Sequence, residues 1–495
     1  MIPVRVADIA GALKRAGVLV SEHGVLPQFV EAITEDSRAV VPRGLFLAVR
    51  GADRDGHEYL PMAERGGAVL AVVDDAGRTE LPSLVVSDTR RAAAVAAAAF
   101  HGEPARELGL VGITGTNGKT TTVGMLRHLL DEPTQRAASI GTLGVLVGSD
   151  GDPLDGGGGL TTPGPVELQR LLRALVDRGV RWVAMETSSH ALHQHRVDTL
   201  SFQAGVFTNL TRDHLDYHVT MDAYFAAKAL LVSLLTRDGA AVVNADDPAW
   251  STLPLAPRTV RFGTRGNAQV RAQDVTYAPR GSTWTLVVGA EEHAVRLPLI
   301  GDFNVDNALA AAAAAWAVGV EPAVIAERLS TLPQVPGRLE IIGEHPLVLR
   351  DYAHTPDALE RALDAVRPFT TGQLIVVFGC GGDRDRGKRP EMGRIAQGKA
   401  DHVIVTSDNP RTEDPERILD DIEAGMSPGA HERIEDRRAA IARALAVARA
   451  ANSASHMPVV LLAGKGHETY QIRGAVKYPF DERTIVREIL AETTN

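Results

Sequence analysis

The chain has 495 residues, of which 44% are apolar and 23% are charged, and its formal net charge at pH 7 is −10. A chain of this length exceeds one hydrophobic core, and we predict three domains. The negative charge argues against nucleic acid as the main partner, and the absence of a long apolar run argues against membrane insertion. Because the N-terminus lacks a secretory signal pattern and Cys380 is the only cysteine, we expect a cytoplasmic protein.

The first predicted domain, residues 1–109, is a small α/β unit. Its apolar runs and helical patterns alternate along the chain. The predicted strands are 45–49, 68–73 and 84–86, and the predicted helices are 6–16 and 89–100.

The second predicted domain, residues 110–335, alternates apolar strands with helices, which is typical of a mostly parallel sheet covered by helices. Its clearest strands are 182–185, 204–207 and 240–244. The third, residues 336–495, repeats this alternation and predicts a Rossmann-like, doubly wound sheet. Its predicted strands are 347–349, 374–378, 402–406 and 459–462, and its predicted helices include 358–366 and 437–450.

A glycine-rich segment joins the first strand of the second domain, 108–113, to a helix that is predicted to begin at Thr120. The segment reads Gly115, Thr116, Asn117, Gly118, Lys119, Thr120 and Thr121. Successive backbone N–H groups and the positive end of a helix favour a phosphate, while Lys119 can reach outer phosphates and Thr120 can offer a hydroxyl to Mg²⁺. The general P-loop pattern expects glycine where this chain has Ile113, and its turn glycine is Gly115. We predict a nucleotide site of an unusual P-loop type.

Two more polar segments follow strands of the same predicted sheet. Glu186 ends one strand, and His214 lies in the segment 208–216 after the next. Because parallel strands end at a common edge, we expect both residues near the P-loop, where the carboxylate could face Mg²⁺. The alternative for Glu186 is an acid at a strand end in solvent. Three nearby histidines fit no common zinc spacing, and we interpret them as polar pocket walls: His190, His193 and His195.

Four segments together resemble the Mur ligase family, ATP-dependent enzymes that form amide bonds in peptidoglycan assembly. These segments are 115–120, 186–190, 209–214 and 301–307, and the resemblance covers essentially the whole chain. It implies that the P-loop residues named above bind ATP together with Asn304, Asn307, Arg338 and Asp351, and that His354 belongs to the surface formed by the last two.

The resemblance also implies two Mg²⁺ sites, with Thr120 and Glu186 at one and His214 and Lys228 at the other. Lys228 matches a position that carries CO₂ as a lysine carbamate in this family. An ammonium cannot ligate Mg²⁺, whereas the carbamate is an anionic oxygen ligand that suits a hard cation. From the sequence alone, without the resemblance, Lys228 would be interpreted as a solvated helix residue. Lys119, Glu186, His214 and Lys228 are the implied catalytic residues.

Three C-terminal motifs, 379–385, 407–411 and 463–468, each follow a predicted strand and could individually be strand-end turns. Together they resemble the branch of the family that adds diaminopimelate. The resemblance implies that this amino acid is held by Arg384, Asp408, Asn409, Pro410, Arg411, Gly464 and Glu468. A guanidinium at Arg411 can pair bidentately with the distal carboxylate that diaminopimelate has and lysine lacks.

The second substrate implied by the resemblance is UDP-N-acetylmuramoyl-L-alanyl-D-glutamate. Its uridine and diphosphate are expected near Ser37 and the turn 51–56. The residues expected along its muramoyl peptide are Thr161, Thr162, Ser188, Gln194 and Arg196. We expect a monomer.

The resemblance therefore implies a ligase that works through an acyl phosphate. Two alternatives remain, namely a D-alanyl-D-alanine-adding or polyglutamate-adding ligase on the same scaffold, and a nucleotide-binding regulatory protein that has lost catalysis. The motifs 408–411 and 464–468, which are not expected in such ligases, disfavour the first alternative. The presence of Glu186, His214 and Lys228 disfavours the second.

Overall fold

The structure is a computed structural model that describes residues 3–51, 54–265, 267–453 and 456–492. The chain forms two compact units. The first contains residues 1–271, 287–293 and 307–328, and the second contains residues 272–286, 294–306 and 329–495. Among the helices of the described residues, none is both long enough and apolar enough to cross a membrane.

The N-terminal part of the first unit has a five-stranded sheet with the order β2-β7-β6-β5-β4, in which only β2 runs antiparallel to its neighbour. Its elements are β1 (Val4–Arg5), α1 (Val6–Arg15), β2 (Leu19–His23), β3 (Phe29–Val30), β4 (Ala32–Thr34), β5 (Gly44–Leu47), α2 (Leu60–Arg65), β6 (Ala68–Val73), β7 (Ser83–Val86) and α3 (Thr89–Phe100). Asp88 caps α3 by accepting hydrogen bonds from the N–H groups of Arg90 and Arg91. The alanine run of α3 is buried, which lets the helix pack closely against α1.

The next part of the chain contributes a sheet with the order β11-β10-β9-β12-β8-β13-β14-β15-β16-β17-β18. Its strands are β8 (Gly109–Thr114), β9 (Arg136–Gly141), β10 (Gly144–Val147), β11 (Asp152–Leu154), β12 (Val180–Glu186), β13 (Phe202–Phe207), β14 (Leu235–Asn244), β15 (Arg258–Gly263), β16 (Val270–Ala278), β17 (Gly281–Val288) and β18 (Glu291–Leu297). Its helices are α4 (Lys119–Leu130), α5 (Pro165–Asp177), α6 (Ser189–His193), α7 (Leu215–His218), α8 (Met221–Ser233), α9 (Asp302–Ala317) and α10 (Pro322–Ser330). The division between the two units runs through β16, β17, β18, α9 and α10.

The arrangement of β8 positions the rest of this region. It pairs in parallel with β12 on one side and β13 on the other, with Gly112 opposite Met185 and Gly205. The three strands are almost continuously buried, as expected for parallel strands that are covered on both faces. Their carboxyl ends therefore lie side by side.

The second unit is doubly wound, with a sheet in the order β19-β20-β24-β21-β22-β23, all parallel except β19. Its strands are β19 (Glu340–Glu344), β20 (Leu347–Asp351), β21 (Leu374–Phe378), β22 (His402–Val405), β23 (Glu432–Arg433), β24 (Val459–Ala463) and the hairpin β25 (Tyr470–Arg473) and β26 (Val476–Pro479). Its helices are α11 (Pro356–Val366), α12 (Lys388–Lys399), α13 (Pro415–Glu423), α14 (Arg437–Ala451) and α15 (Glu482–Glu492).

Side chains of β21 alternate between two cores, as the period of a strand requires. Leu374, Val376 and Phe378 join the core formed with α11, α12 and α13. Ile375 and Val377 join the core formed with α14 and α15.

The predicted α/β class and the predicted alternation of strands and helices are confirmed. The predicted segments 68–73, 89–100 and 374–378 match β6, α3 and β21 to the residue. Most other strands extend a few residues beyond the predicted apolar segments, because backbone pairing continues past the apolar residues. The predicted segments 45–49 and 402–406 instead end later than β5 and β22 do. The domain boundaries at 109/110 and 335/336 stay predictions.

Two ion pairs join α14 to α15 and differ mainly in burial. Arg437 and Glu482 lie 2.8 Å apart with no exposed side-chain surface, whereas Arg438 and Glu488 lie 2.8 Å apart with about half of each side chain exposed. Removing one partner of a buried pair leaves an uncompensated charge, which costs about 3–5 kcal/mol, while an exposed pair is worth about 0–1 kcal/mol. We therefore expect Glu482→Ala to lower the urea midpoint of unfolding strongly and Glu488→Ala to leave it nearly unchanged. Equal midpoints for the two variants would contradict this assignment.

Candidate active site

The loop between β8 and α4 has little free space around its two turn glycines. Gly115 and Gly118 have φ angles of 147° and 85°, which glycine adopts without strain. A Cβ atom on Gly115 would lie 1.9 Å from Thr208 Oγ1, and one on Gly118 would lie 2.2 Å from Asn307 Oδ1. The loop is thus packed against the segment after β13 and against α9, and Asn307 is placed at the P-loop.

Hydrogen bonds connect the P-loop to the segment that follows β13. Thr116 N–H donates to Asn209 O at 2.8 Å, and Asn117 N–H donates to Asn209 Oδ1 at 2.9 Å. Thr208 Oγ1 donates to Asn117 O at 2.8 Å. The two strand ends therefore form one connected structure. Lys119 Nζ donates to the carbonyls of Gly115 and Thr116 within it.

Lys228 on α8 is buried beneath this loop, with only 1% of the residue exposed. Its Nζ donates to Gly115 O at 2.7 Å and lies 4.4 Å from the centre of the Tyr224 ring. Burial, helped by the nearby charge of Lys119, holds the pKa of Lys228 well below its ordinary value. The alternative of a solvated helix residue is wrong, because the fold of α8 under the P-loop determines the environment of this side chain.

Glu186 at the end of β12 is also buried, with 1% exposed, so the alternative of a solvent-facing acid is wrong. Its carboxylate accepts hydrogen bonds from Thr142 N–H at 2.8 Å and Thr142 Oγ1 at 3.3 Å. Glycine at position 141 makes room for it, since a Cβ there would lie 2.3 Å from Glu186 Oε1.

His214 immediately precedes α7 and lies close to both Lys119 and Lys228. Burial is the main cause that lowers the pKa of His214, and the charges of Lys119 and Lys228 lower it further, against Asp213. Its ring meets that of His190 edge-on at 4.8 Å. A neutral imidazole has the lone pair that a metal ligand needs.

Of the other histidines, His190 and His193 lie against the ring of Tyr217, and His195 pairs with Asp198 at 2.7 Å. Within the described residues, no group of three or more His, Cys, Asp or Glu side chains is arranged to hold a metal ion. Mg²⁺ commonly takes only one or two carboxylates and completes its shell with phosphate and water oxygens. The single buried carboxylate of Glu186 near a P-loop is compatible with this coordination.

Five predicted substrate residues form a continuous hydrogen-bonded wall beside Glu186. Thr162 Oγ1 donates to Glu186 O at 2.9 Å, and Ser188 N–H donates to Thr162 Oγ1 at 3.1 Å. Arg196 donates to Thr162 O at 3.0 Å and to Gln194 Oε1 at 2.6 Å. Thr161 joins the wall through Thr142, 3.5 Å away.

Glu35 from the N-terminal part of the first unit lies at the end of this wall and was not predicted from the sequence. Burial raises the pKa of Glu35, and Arg196 opposes that rise. Both line a groove of about 200 Å³ together with Arg50, Arg90 and Gln194. No local pattern marks Glu35, because its burial depends on packing between two parts of the first unit.

Ser37 is not part of this wall. Its hydroxyl contacts Met62 Sδ at 3.4 Å in an exposed position. Of the turn 51–56 that was predicted to meet the diphosphate, Ala52 and Asp53 lie outside the described residues.

In the second unit, the three C-terminal motifs meet at the carboxyl edge of the adjacent strands β24, β21 and β22. Asn409 Nδ2 donates to Glu468 Oε2 at 2.8 Å. Gly464, with φ 117°, lets Asp408 come close, since a Cβ on Gly464 would lie 2.4 Å from Asp408 Oδ2. The motif residue Pro410 precedes Arg411, whose backbone is left-handed with φ 52°.

The two arginines of this cluster flank one glycine. Arg411 Nη1 donates to Gly382 O at 2.8 Å, and a Cβ on Gly381 would lie 2.9 Å from Arg411 Nη1 and 3.8 Å from Arg384 Cγ. Arg384 and Arg411 therefore lie near the same glycine of the motif 379–385, which meets the segment with Asp408 and Asn409 at this sheet edge. Such a set can hold a zwitterion with more than one carboxylate.

Arg338, Asp351, His354 and Asn304 also belong to the second unit. The Arg338 guanidinium lies 4.9 Å from the centre of the Tyr352 ring, and Asp351 accepts a hydrogen bond from Leu339 N–H at 2.8 Å. Burial raises the pKa of Asp351 while Arg338 counteracts it. His354 Nδ1 contacts Tyr352 O at 2.8 Å, and Asn304 Nδ2 donates to Ile300 O at 2.7 Å.

Three family profiles match the chain, described as Mur ligase family, catalytic domain (residues 30–110), Mur ligase middle domain (residues 113–315) and Mur ligase, glutamate ligase domain (residues 337–466).

Two curated relatives are named UDP-N-acetylmuramoyl-L-alanyl-D-glutamate--2,6-diaminopimelate ligase. The relative from Gloeobacter violaceus is 45% identical over 94% of each chain. The relative from Geobacillus thermodenitrificans is 43% identical over 94% of this chain and 95% of its own. A solved structure with the same enzyme name matches all of both chains with 32% identity and a TM-score of 0.70.

The crowding at Gly118 predicts a specific loss of nucleotide binding. In Gly118→Ala, the new Cβ would collide with Asn307 and strain a left-handed backbone, so we expect ATP affinity to fall at least about tenfold, or about 1.4 kcal/mol. Gly124→Ala in α4, the helix that follows Gly118, is the control, because its Cβ would meet nothing within 4 Å and alanine favours a helix. Titration with a fluorescent ATP analogue measures both. Equal affinities in the two variants would refute the role given to Gly118.

Proposed function

This chain belongs to the Mur ligase family, and from that membership we propose that it joins diaminopimelate to UDP-N-acetylmuramoyl-L-alanyl-D-glutamate at the expense of ATP. The observation that carries the proposal is the cluster of Asp408, Asn409, Arg411 and Glu468 at one sheet edge in a chain that also has a complete P-loop. The cluster has both acids and guanidinium groups, as an amino acid with two ammonium and two carboxylate groups requires.

The reaction has two steps, and neither needs a covalent protein nucleophile. The D-glutamyl γ-carboxylate attacks the γ-phosphorus of ATP, which forms an acyl phosphate and releases ADP. The amine of diaminopimelate then attacks the acyl carbon and loses a proton, and inorganic phosphate leaves. Backbone N–H groups of the P-loop and Lys119 orient the phosphates and balance their charge, which is the main requirement of phosphoryl transfer.

We propose two Mg²⁺ sites, one with Thr120 and Glu186 and the other with His214 and carbamylated Lys228. When bound, Mg²⁺ neutralises charge on the transferring phosphoryl group. Glu186 is held for such a role by Thr142, and the low pKa of Lys228 favours the neutral amine that can attack CO₂ and lose a proton to give the carbamate.

The remaining assignments follow the same proposal. The other ATP contacts are Gly115, Thr116, Asn117, Gly118, Thr121, Asn304, Asn307, Arg338 and Asp351. The muramoyl peptide lies along the wall from Thr161 to Arg196, and the uridine lies near Ser37. We propose a cytoplasmic monomer with domains 1–109, 110–335 and 336–495.

One assay panel tests the function. The purified protein is supplied with ATP, Mg²⁺ and UDP-N-acetylmuramoyl-L-alanyl-D-glutamate, and ADP release is compared for six acceptors: meso-diaminopimelate, LL-diaminopimelate, lysine, ornithine, D-alanyl-D-alanine and glutamate. We expect release with a diaminopimelate isomer and little with lysine or ornithine. Release with D-alanyl-D-alanine or glutamate instead would assign a different ligase, and no release with any acceptor would favour a regulatory protein.

Replacing Lys228 with alanine should remove most turnover, because a ligand at the second Mg²⁺ site is lost. A small carboxylate such as acetate should restore part of the activity, since it can supply the missing oxygen ligand. Labelled bicarbonate should give a carbamate signal in the unmodified protein and none in Lys228→Ala. A bare amine in the fully active, Mg²⁺-bound enzyme would rule out the carbamate.

Replacing Arg411 with alanine should raise the KM for diaminopimelate about tenfold to a hundredfold and leave the KM for ATP nearly unchanged. The expected range follows from a charge-assisted hydrogen bond of about 1.5–3 kcal/mol. Arg411→Lys should recover only part of the loss, because an ammonium lacks the planar fork. Efficient lysine addition by the unmodified enzyme, or an unchanged diaminopimelate KM in the alanine variant, would show that Arg411 is not the selector.

A further inference from the structure

Lys465 lies between the two acidic residues of the C-terminal cluster, Asp408 and Glu468. It follows β24, has no exposed side-chain surface, and its Nζ donates to Asn409 Oδ1 at 3.0 Å and to Tyr470 O at 2.8 Å. The same nitrogen lies 3.9 Å from Asp408 Oδ1 and 3.7 Å from Glu468 Oε2. One buried ammonium therefore lies within 4 Å of two carboxylates.

The position of Lys465 determines how Asn409 is oriented. The Lys465 ammonium and the backbone N–H of Ile472 both donate to Asn409 Oδ1, the second at 2.9 Å. Because two donors face this atom, it must be the amide oxygen, and the amide NH₂ group must face Glu468. Lys465 thus holds the Glu468 carboxylate in place both directly and through Asn409.

The charge count of this group is also informative. Among the charged residues predicted to hold the amino acid, Asp408 and Glu468 contribute two negative charges, and Arg384 and Arg411 contribute two positive charges. Lys465 adds one more positive charge, so the net charge of the five residues is +1. The nearest other buried ion pair, Arg437 with Glu482, is neutral as a pair. Burial lowers the pKa of Lys465, and the neighbouring carboxylates of Asp408 and Glu468 oppose that effect.

We propose that Lys465 is a positioning residue that sets the charge of the amino-acid pocket, so that the pocket disfavours an amino acid with a net positive charge. The inference rests on the proposed function, since it concerns the same amino-acid site. Diaminopimelate, with two ammonium and two carboxylate groups, has no net charge, whereas lysine has a net charge of +1. Lys465 therefore discriminates against lysine by repulsion, while Arg411 does so by attraction to the distal carboxylate.

Three variants test this role. Lys465→Met removes the charge and the donor, Lys465→Gln keeps a donor without the charge, and Lys465→Arg keeps the charge. We expect the methionine and glutamine variants to raise the KM for diaminopimelate about tenfold and to raise kcat/KM for lysine relative to diaminopimelate by about tenfold, with the KM for ATP unchanged. Lys465→Arg should keep the preference for diaminopimelate. If the methionine variant does not fold, the same KM and kcat/KM values are compared between the glutamine and arginine variants.

The hairpin offers a matched control in Lys477, which lies 4.3 Å from the centre of the Tyr470 ring and contacts neither acid. Lys477→Met should change neither KM nor the ratio between the two amino acids. A merely structural role for Lys465 would alter the KM values of all substrates without changing the lysine to diaminopimelate ratio, and this outcome would overturn the proposal.

A double-mutant cycle with Asn409→Ala tests the connection through the amide. If Lys465 acts partly through Asn409, the combined loss in diaminopimelate kcat/KM should be smaller than the sum of the two single losses. If the two losses in kcat/KM are fully additive, Lys465 does not act through Asn409. An unmodified protein without diaminopimelate-dependent ADP release would refute the proposed function itself, whereas normal release with no effect of the Lys465 variants would refute only this inference.

Discussion

The parallel pairing of β8 with β12 on one side and β13 on the other is the constraint on which the first unit depends. Parallel strands with a common direction end at a common edge, so the P-loop, Glu186 and the segment from Thr208 become neighbours although they are far apart in sequence. The close contacts at Gly115 and Gly118 then leave no room for a side chain. The geometry of the proposed nucleotide site thus follows from strand order and two glycines.

Both units contain a buried lysine that is stabilised by specific oxygen partners. Lys228 donates to a P-loop carbonyl, and Lys465 donates to Asn409 and to a backbone carbonyl near two carboxylates. Burying an ammonium is costly unless it is hydrogen-bonded or paired, and the cost appears here as a lowered pKa at both positions. The consequences differ, because the largest effect of a neighbouring charge on Lys228 comes from Lys119, whereas Lys465 lies within 4 Å of two carboxylates. The first environment favours a neutral, reactive amine, and the second favours a retained charge.

The two units use the same device for different ligands. In each, adjacent parallel strands present short polar motifs at their carboxyl ends, with glycines that allow side chains or backbone to approach closely. The first unit combines backbone N–H groups with cations, which suits phosphates. The second combines carboxylates with guanidinium groups, which suits a zwitterionic amino acid.

The sequence by itself determined the α/β class, the order of strands and helices, and the positions of the P-loop and the strand-end motifs, because apolar periodicity and glycine turns are local signals. It also placed Glu186, Asp408 and Arg411 at strand ends. Only the tertiary structure decided that Lys228 is buried under Gly115, that Glu35 joins Arg196, and that Lys465 lies between Asp408 and Glu468. Burial and pairing of those side chains depend on which strands and helices are neighbours in space. Because this is a non-local property, no single segment of the sequence indicates it.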